Sequence, residues 1–139
     1  MAFTDVDATN HFLEQAFPRV GVRPRVTDMT DGRCFIAFQA EAQHMRPGDI
    51  VSGPTQMTLV DTAGYVCVFT RLGLTPMAVT SSLHVDFLRA CQGKAVTAEA
   101  ELVKIGRVLA VVSVSVRGAD GRESARASVT YALPQEAVT

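Results

Sequence analysis

An excess of either charge, an apolar run of membrane length and a cysteine pairing pattern are all missing from this sequence. Thirteen Lys and Arg stand against fourteen Asp and Glu, a net charge of −1. The signs are mixed along the chain, so no basic face points to nucleic acid. The longest apolar run in the main predicted helix, Ala63 to Phe69, is far below the roughly 18 residues of a membrane span. Three cysteines, Cys34, Cys67 and Cys91, show no CxxC or zinc spacing. Their odd number argues against a disulfide framework, and no metal or other cofactor is expected. The N-terminal residues Met-Ala-Phe-Thr-Asp-Val-Asp lack the basic and apolar regions of a signal peptide. The expected location is the reducing cytoplasm.

What is present is a core. Hydrophobic residues make up 47% of 139 residues and charged residues 19%. That is enough for one domain spanning 1–139 and short for two. Pro134 to Thr139 reads as a loose tail.

Apolar residues at Ala8, Phe12, Leu13, Ala16 and Phe17 have helical spacing, and Pro18 ends that helix. Val26–Met29 and Cys34–Ala40 read as strands around the turn Thr30-Asp31-Gly32. In the second, Cys34, Ile36, Phe38 and Ala40 form an apolar face opposite a mixed one. Gln43–Val51, with Pro47, Gly48 and Asp49, has loop composition. A twenty-residue helix is predicted over Gly53–Leu72. Ser52 or Gly53 caps it, Pro54 suits its first position, and Gly73 stops it. Strand patterns follow at Ala78–Leu88, Ala95–Ile105, Val108–Val116 and Glu123–Leu133. A hairpin is expected at Asp120-Gly121. Segregated strands around one enveloped helix indicate α+β with a largely antiparallel sheet.

Asp61 is the one Asp or Glu in Gly53–Leu72. Met57, Leu59, Val60, Ala63, Val66, Cys67 and Phe69 would surround the helix with apolar groups, and such a helix is buried. A carboxylate there is tolerated when it is paired, neutral or used. The helix N-terminus supplies unpaired N–H groups able to stabilise a developing negative charge. A carboxylate two turns on can work with them only across a bound substrate or from a neighbouring chain.

Ser52-Gly53-Pro54-Thr55-Gln56-Met57-Thr58-Leu59-Val60-Asp61-Thr62-Ala63 resembles the His-Gly-Gly-x-x-x-x-Leu-x-Asp-x-Ala signature of hotdog-fold thioesterases of the phenylacetyl-CoA type. Ala78 to Arg89, ending Phe87-Leu88-Arg89, is similar to a strand of that family. Lys104-Ile105-Gly106-Arg107 is similar to a basic strand junction in it. The resemblance covers roughly residues 8 to 133. It implies a sheet wrapped around the long helix and two chains sharing a continuous sheet and active sites, as a dimer or a dimer of dimers. Asp61 would be the catalytic carboxylate, as nucleophile or as general base. The Gly53 N–H would hold the oxyanion, and Thr80 lies where relatives carry a Ser or Thr that helps place water.

The implied reaction is hydrolysis of a medium-chain or aromatic acyl-CoA, with Met57, Tyr65 and Phe69 near the acyl group. Arg46, Ser52, Pro54 and Arg107 would belong to the substrate-binding surface, Arg107 toward CoA phosphate. Lys104, Arg122 and Arg126 could serve the same purpose, although a solvated strand end is the default reading for each. Ser52 replaces the family's His, Arg46 its Asn and Pro54 its second Gly. Those losses favour the other reading, a non-catalytic hotdog domain that binds acyl-CoA or a related ligand. His84 reads as a structural or interface residue, Asp86 and Arg89 as an ion pair, His11 and His44 as surface groups without partners, and Cys67 as inert core.

Overall fold

Alternation along the strands decides which side of the sheet is covered. A computed structural model describes residues 1–18 and 23–135. In β2 (Arg33–Gln39), Cys34, Ile36 and Phe38 are buried, Phe35 and Ala37 half-buried, and Arg33 and Gln39 exposed. It pairs with β1 (Arg25–Thr30) through the turn at Gly32, whose φ is +77°. Three longer strands follow α2 (Gly53–Leu72) and β5 (Val79–Phe87). They are β7 (Ala95–Ile105), β8 (Leu109–Arg117) and β9 (Glu123–Ala132). The six form one antiparallel sheet in the order β1-β2-β7-β8-β9-β5. β7 buries Val96, Ala98 and Ala100, and β8 buries Ala110, Val112, Val114 and Val116. The matched period-two faces create one continuous floor for a helix.

That helix is α2, which packs against all six strands of the sheet. Ser52 is its cap, with Oγ accepting from the Thr55 N–H at 3.3 Å. Gly53 takes the first helical position and Pro54 the second, where a missing N–H is still harmless. Gly73, at φ +78°, ends the helix by donating to the Phe69 carbonyl. Leu59, Val60, Ala63, Val66, Cys67 and Phe69 are almost fully buried against the sheet.

The apolar residues along the helix predict burial on every side, and the fold departs from that expectation. α2 is not enclosed all round. Pro54, Met57 and Thr58 are exposed, and Asp61, Thr62 and Tyr65 half-buried. Steps of three and four put these residues on one stripe, so Asp61 stands on the open side. Met57, counted among the buried apolar residues, is 40% exposed.

α1 (Val6–Ala16) starts at Asp5, whose carboxylate accepts from the Ala8 N–H. Its Asn10 clamps β1, donating to the Val26 carbonyl and accepting from the Val26 N–H, both at 2.9 Å. The segment read as a loop carries more order than its composition suggested. A 3₁₀ turn (Ala42–His44) leads into β3 (Met45–Arg46) and β4 (Ile50–Val51), which join β6 (Cys91–Gln92) in a small second sheet. Strands this short leave no periodicity to read.

His44 is also partnered. Its Nδ1 accepts from the Glu41 N–H, and its ring meets Phe38 edge-on at 4.9 Å. Asp86 pairs with His84 at 3.2 Å rather than with Arg89, whose guanidinium reaches the Glu123 carbonyl instead. On β5, side chains two apart share a face, and this alternation brings His84 and Asp86 together. Of the expected tail, Pro134 and Gln135 are exposed, and 136–139 lie outside the described residues.

Candidate active site

Asp61 is held by two hydroxyls that arrive from two different strands. Thr80 of β5 donates to Asp61 Oδ1 at 2.7 Å. Tyr131 of β9 lies 2.9 Å from the same oxygen and 2.5 Å from the Asp61 main-chain carbonyl. A phenol has one proton, so it is shared between two acceptors of one residue. Thr80 and Tyr131 are cross-strand partners in the β5–β9 ladder, which is why both reach one carboxylate. Oδ2 has no hydrogen-bond partner among the described residues.

Tyr131 is 1% exposed. Burial, followed by the charge of Asp61 and the hydrogen bond to it, drives its hydroxyl far above the ordinary phenol value. It therefore stays protonated and can donate but not act as a base.

Asp61 lies where two concavities meet. The larger, about 370 Å³, is lined by Leu13, Phe17, Pro24, Tyr65 and Pro76, with Arg23 at its wall. Tyr65 is braced there by a 2.9 Å hydrogen bond to the Pro76 carbonyl and by Phe69 behind it, ring centroids 4.6 Å apart. Burial raises the pKa of its phenol. The smaller concavity, about 300 Å³, is lined by Met57 and Leu83. Both share Thr58, Thr62 and Thr80 with Asp61. Of the three residues linked with the acyl group, Tyr65 lines the larger hollow and Met57 the smaller. Phe69 is fully buried behind Tyr65.

A second group collects at the start of α2. The Gly53 N–H is in the first turn and has no acceptor within the helix. Beside it, a Cβ at Gly53 would meet the Phe87 ring at 3.5 Å. Ser52 Oγ is 2.8 Å from Thr55 Oγ1, and its N–H donates to the His44 carbonyl. Arg46 is exposed on β3. Eight residues of helix rise by about 12 Å, so this group and Asp61 of the same chain do not share one carbonyl. Arg107 sits in the exposed β7–β8 turn, its carbonyl accepting from Gln135, and it lines neither concavity. Among the other basic candidates, Arg126 is taken up by Glu123 at 2.8 Å.

Residues 48–125 match the family model described as the thioesterase superfamily. The chain belongs to that superfamily. A protein of Silicibacter sp. TM1040, provisionally described as a thioesterase, is 30% identical, with a TM-score of 0.87 over 97% of this chain and 95% of that one. The PaaI protein of E. coli, from the phenylacetic acid degradation operon, is 18% identical, with a TM-score of 0.76 over 96% and 94%. A protein of Streptococcus pneumoniae TIGR4 described as a hypothetical thioesterase, solved with coenzyme A, is 20% identical, with a TM-score of 0.71 over 84% and 92%. The architecture is the hotdog fold, and the protein is a thioester hydrolase.

The matched stretch of this thioesterase contains Gly53, Asp61, Thr80 and Arg107. It stops before Tyr131, the partner of Asp61 that sequence reasoning missed. Tyr131 lies 70 residues from Asp61, in a strand where a tyrosine looks like ordinary core. The one hint was Gly64 in the middle of a helix, a residue type that an apolar helix does not otherwise need. The buried thiols stand outside this chemistry. The Cys34 thiol is pushed well up by the neighbouring Cys67 thiol and by burial, and Cys91 by burial.

Proposed function

We propose that this thioesterase hydrolyses an acyl-CoA carrying a medium-chain or aromatic acyl group, and that Asp61 is its catalytic carboxylate. The observation that carries the reading is the position of Asp61 between two concavities, with one oxygen fixed and the other unpartnered. The larger, mostly apolar hollow suits an acyl group. The smaller one, toward β5, suits the arm of the thiol. A thioester bridging them would bring its carbonyl carbon to Oδ2.

Asp61 then removes a proton from water, or attacks the carbonyl itself and is released by water in a second step. In the first case the water oxygen enters the acid. In the second, water attacks the Asp61 carboxyl carbon of the mixed anhydride, so its oxygen stays on Asp61 and an Asp61 oxygen leaves in the acid. In both the thiol departs with a proton. The bound coenzyme A of the streptococcal relative supports this choice of thiol.

The oxyanion needs a donor near the carbonyl. The Gly53 N–H suits that role, typically worth ~3 kcal/mol, but its own Asp61 is too far along α2. We therefore assign the donor to the Gly53 of a second chain, placed by antiparallel pairing of the two β5 edges. Support comes from β5 itself, an edge strand with Val79 and Phe87 exposed. The smaller concavity opens beside it. Ser52 and Arg46 would come with that Gly53 and meet the CoA side of the substrate.

Asp61→Asn tests the assignment. Expected is loss of at least about 100-fold in kcat on hexanoyl-CoA and phenylacetyl-CoA, with an unchanged circular dichroism spectrum. Turnover within two-fold of the parent enzyme, roughly what a bystander on the surface would give, sinks it. Single-turnover hydrolysis in H₂¹⁸O separates the two mechanisms. ¹⁸O in the Asp61 carboxylate after that one turnover, with ¹⁶O in the released acid, marks attack by Asp61 itself.

A further inference from the structure

We infer that Tyr131 is a positioning residue for Asp61, and that Gly64 is the slot that lets it act. This rests on the role given to Asp61 above. The phenol spans Asp61, reaching both its main-chain carbonyl and Oδ1. With Thr80 on the same oxygen, rotation of the carboxylate is blocked and Oδ2 is the oxygen left for substrate. A carboxylate free to turn would present its two oxygens indifferently and lose alignment with the carbonyl.

The approach of the ring to the helix is built in. A Cβ at Gly64 would lie 2.7 Å from the Tyr131 hydroxyl oxygen and 2.9 Å from Cε2. No side chain can stand there while Tyr131 holds its position. Gly64 is not among the glycines with positive φ, so backbone conformation does not require glycine. Among ordinary residues glycine is the poorest helix former. Close passage of Tyr131 is the requirement that remains. Gly64 follows Asp61 by three positions, about one turn along α2, so the slot and the carboxylate it serves are neighbours. The neutrality of the phenol suits a fixed donor.

The test uses Tyr131→Phe in the full-length enzyme, with Asp61→Asn and Thr80→Val measured in parallel. Phenylalanine preserves the ring and removes the hydroxyl. The expected result is kcat lowered about 10- to 100-fold, KM little changed, and native circular dichroism at the assay temperature. A purely packing role would not move kcat at constant KM. The double variant Tyr131→Phe/Thr80→Val is expected to lose more than the product of the single losses, because each hydroxyl alone still restrains Oδ1.

Wild-type kcat in folded Tyr131→Phe, with Asp61→Asn inactive, overturns the positioning role and leaves Asp61 catalytic. Wild-type kcat in Asp61→Asn overturns the reading beneath it. If Tyr131→Phe does not fold, Gly64→Ala supplies the second reading, because it keeps the hydroxyl while driving it off the helix. A folded Gly64→Ala enzyme with wild-type kcat likewise rejects the proposal.

Discussion

Gly64 sets two opposite terms against each other. Alanine at a helix-interior position is favoured over glycine by about 1 kcal/mol. Here its methyl would meet a buried phenol at 2.7 Å, and overpacking of that kind typically costs ~1–3 kcal/mol. The steric term is the larger. Gly64→Ala is expected to lower the urea midpoint despite its better helix propensity, and a rise in midpoint would show that Tyr131 moves aside freely.

The thiols carry a second prediction at this scale. Cys34, Cys67 and Cys91 are each at most 1% exposed, and their environments disfavour the reactive thiolate of Cys34 and Cys91. An Ellman titration of the folded protein should show no fast phase, and all three thiols should react once urea unfolds it. One fast equivalent in the native state would contradict this burial.

Among the elements, α2 and β7 show what a sequence can and cannot reveal. α2 was legible to the residue because its punctuation is local: Ser52 caps, Pro54 sits in the first turn and Gly73 stops it. Its open stripe was not legible. Met57 is apolar, and exposure depends on what the fold brings alongside rather than on the residue. β7 matched its expected bounds, since a half-buried strand displays its period directly. β3, β4 and β6 escaped because two-residue strands have no period. Asp61 and Gly53 could be singled out from sequence, whereas Tyr131 could not, because its partnership is made by strand register.

The edge of β5 is where the proposed pairing can be broken. Leu83, half-buried on that strand, borders the smaller concavity. Leu83→Lys would bring two like charges near a two-fold axis, the way natural edge strands resist association. Sedimentation should then show a single chain, with turnover lost together with assembly. A Leu83→Lys dimer of full activity would place the contact elsewhere.

At the scale of the whole molecule, the proposed site shared between chains would allow two dead proteins to restore one another. Gly53→Pro removes the proposed oxyanion donor at little structural expense. Proline is tolerated in the first turn, and Ser52 already has the extended conformation, φ −67° and ψ 155°, that must precede it. Mixed with Asp61→Asn after mild dissociation, it should recover activity. Each hybrid pair contains one site with Gly53 from one chain and Asp61 from the other. Absence of any recovery, with hybrids verified by mass, would confine each site to a single chain.

If the proposed sharing of Gly53 and Asp61 between chains holds, their separation along α2 would also make catalysis a matter of mass action. When donor and carboxylate belong to different copies, an isolated chain is idle however well it folds. Specific activity should then fall on dilution below the dissociation constant of the pair. The fall follows the fraction of chains associated, and excess substrate bridging two copies would push it to lower concentration. On the proposed shared site, the spacing of two groups on one helix would thus couple the abundance of the protein to its output.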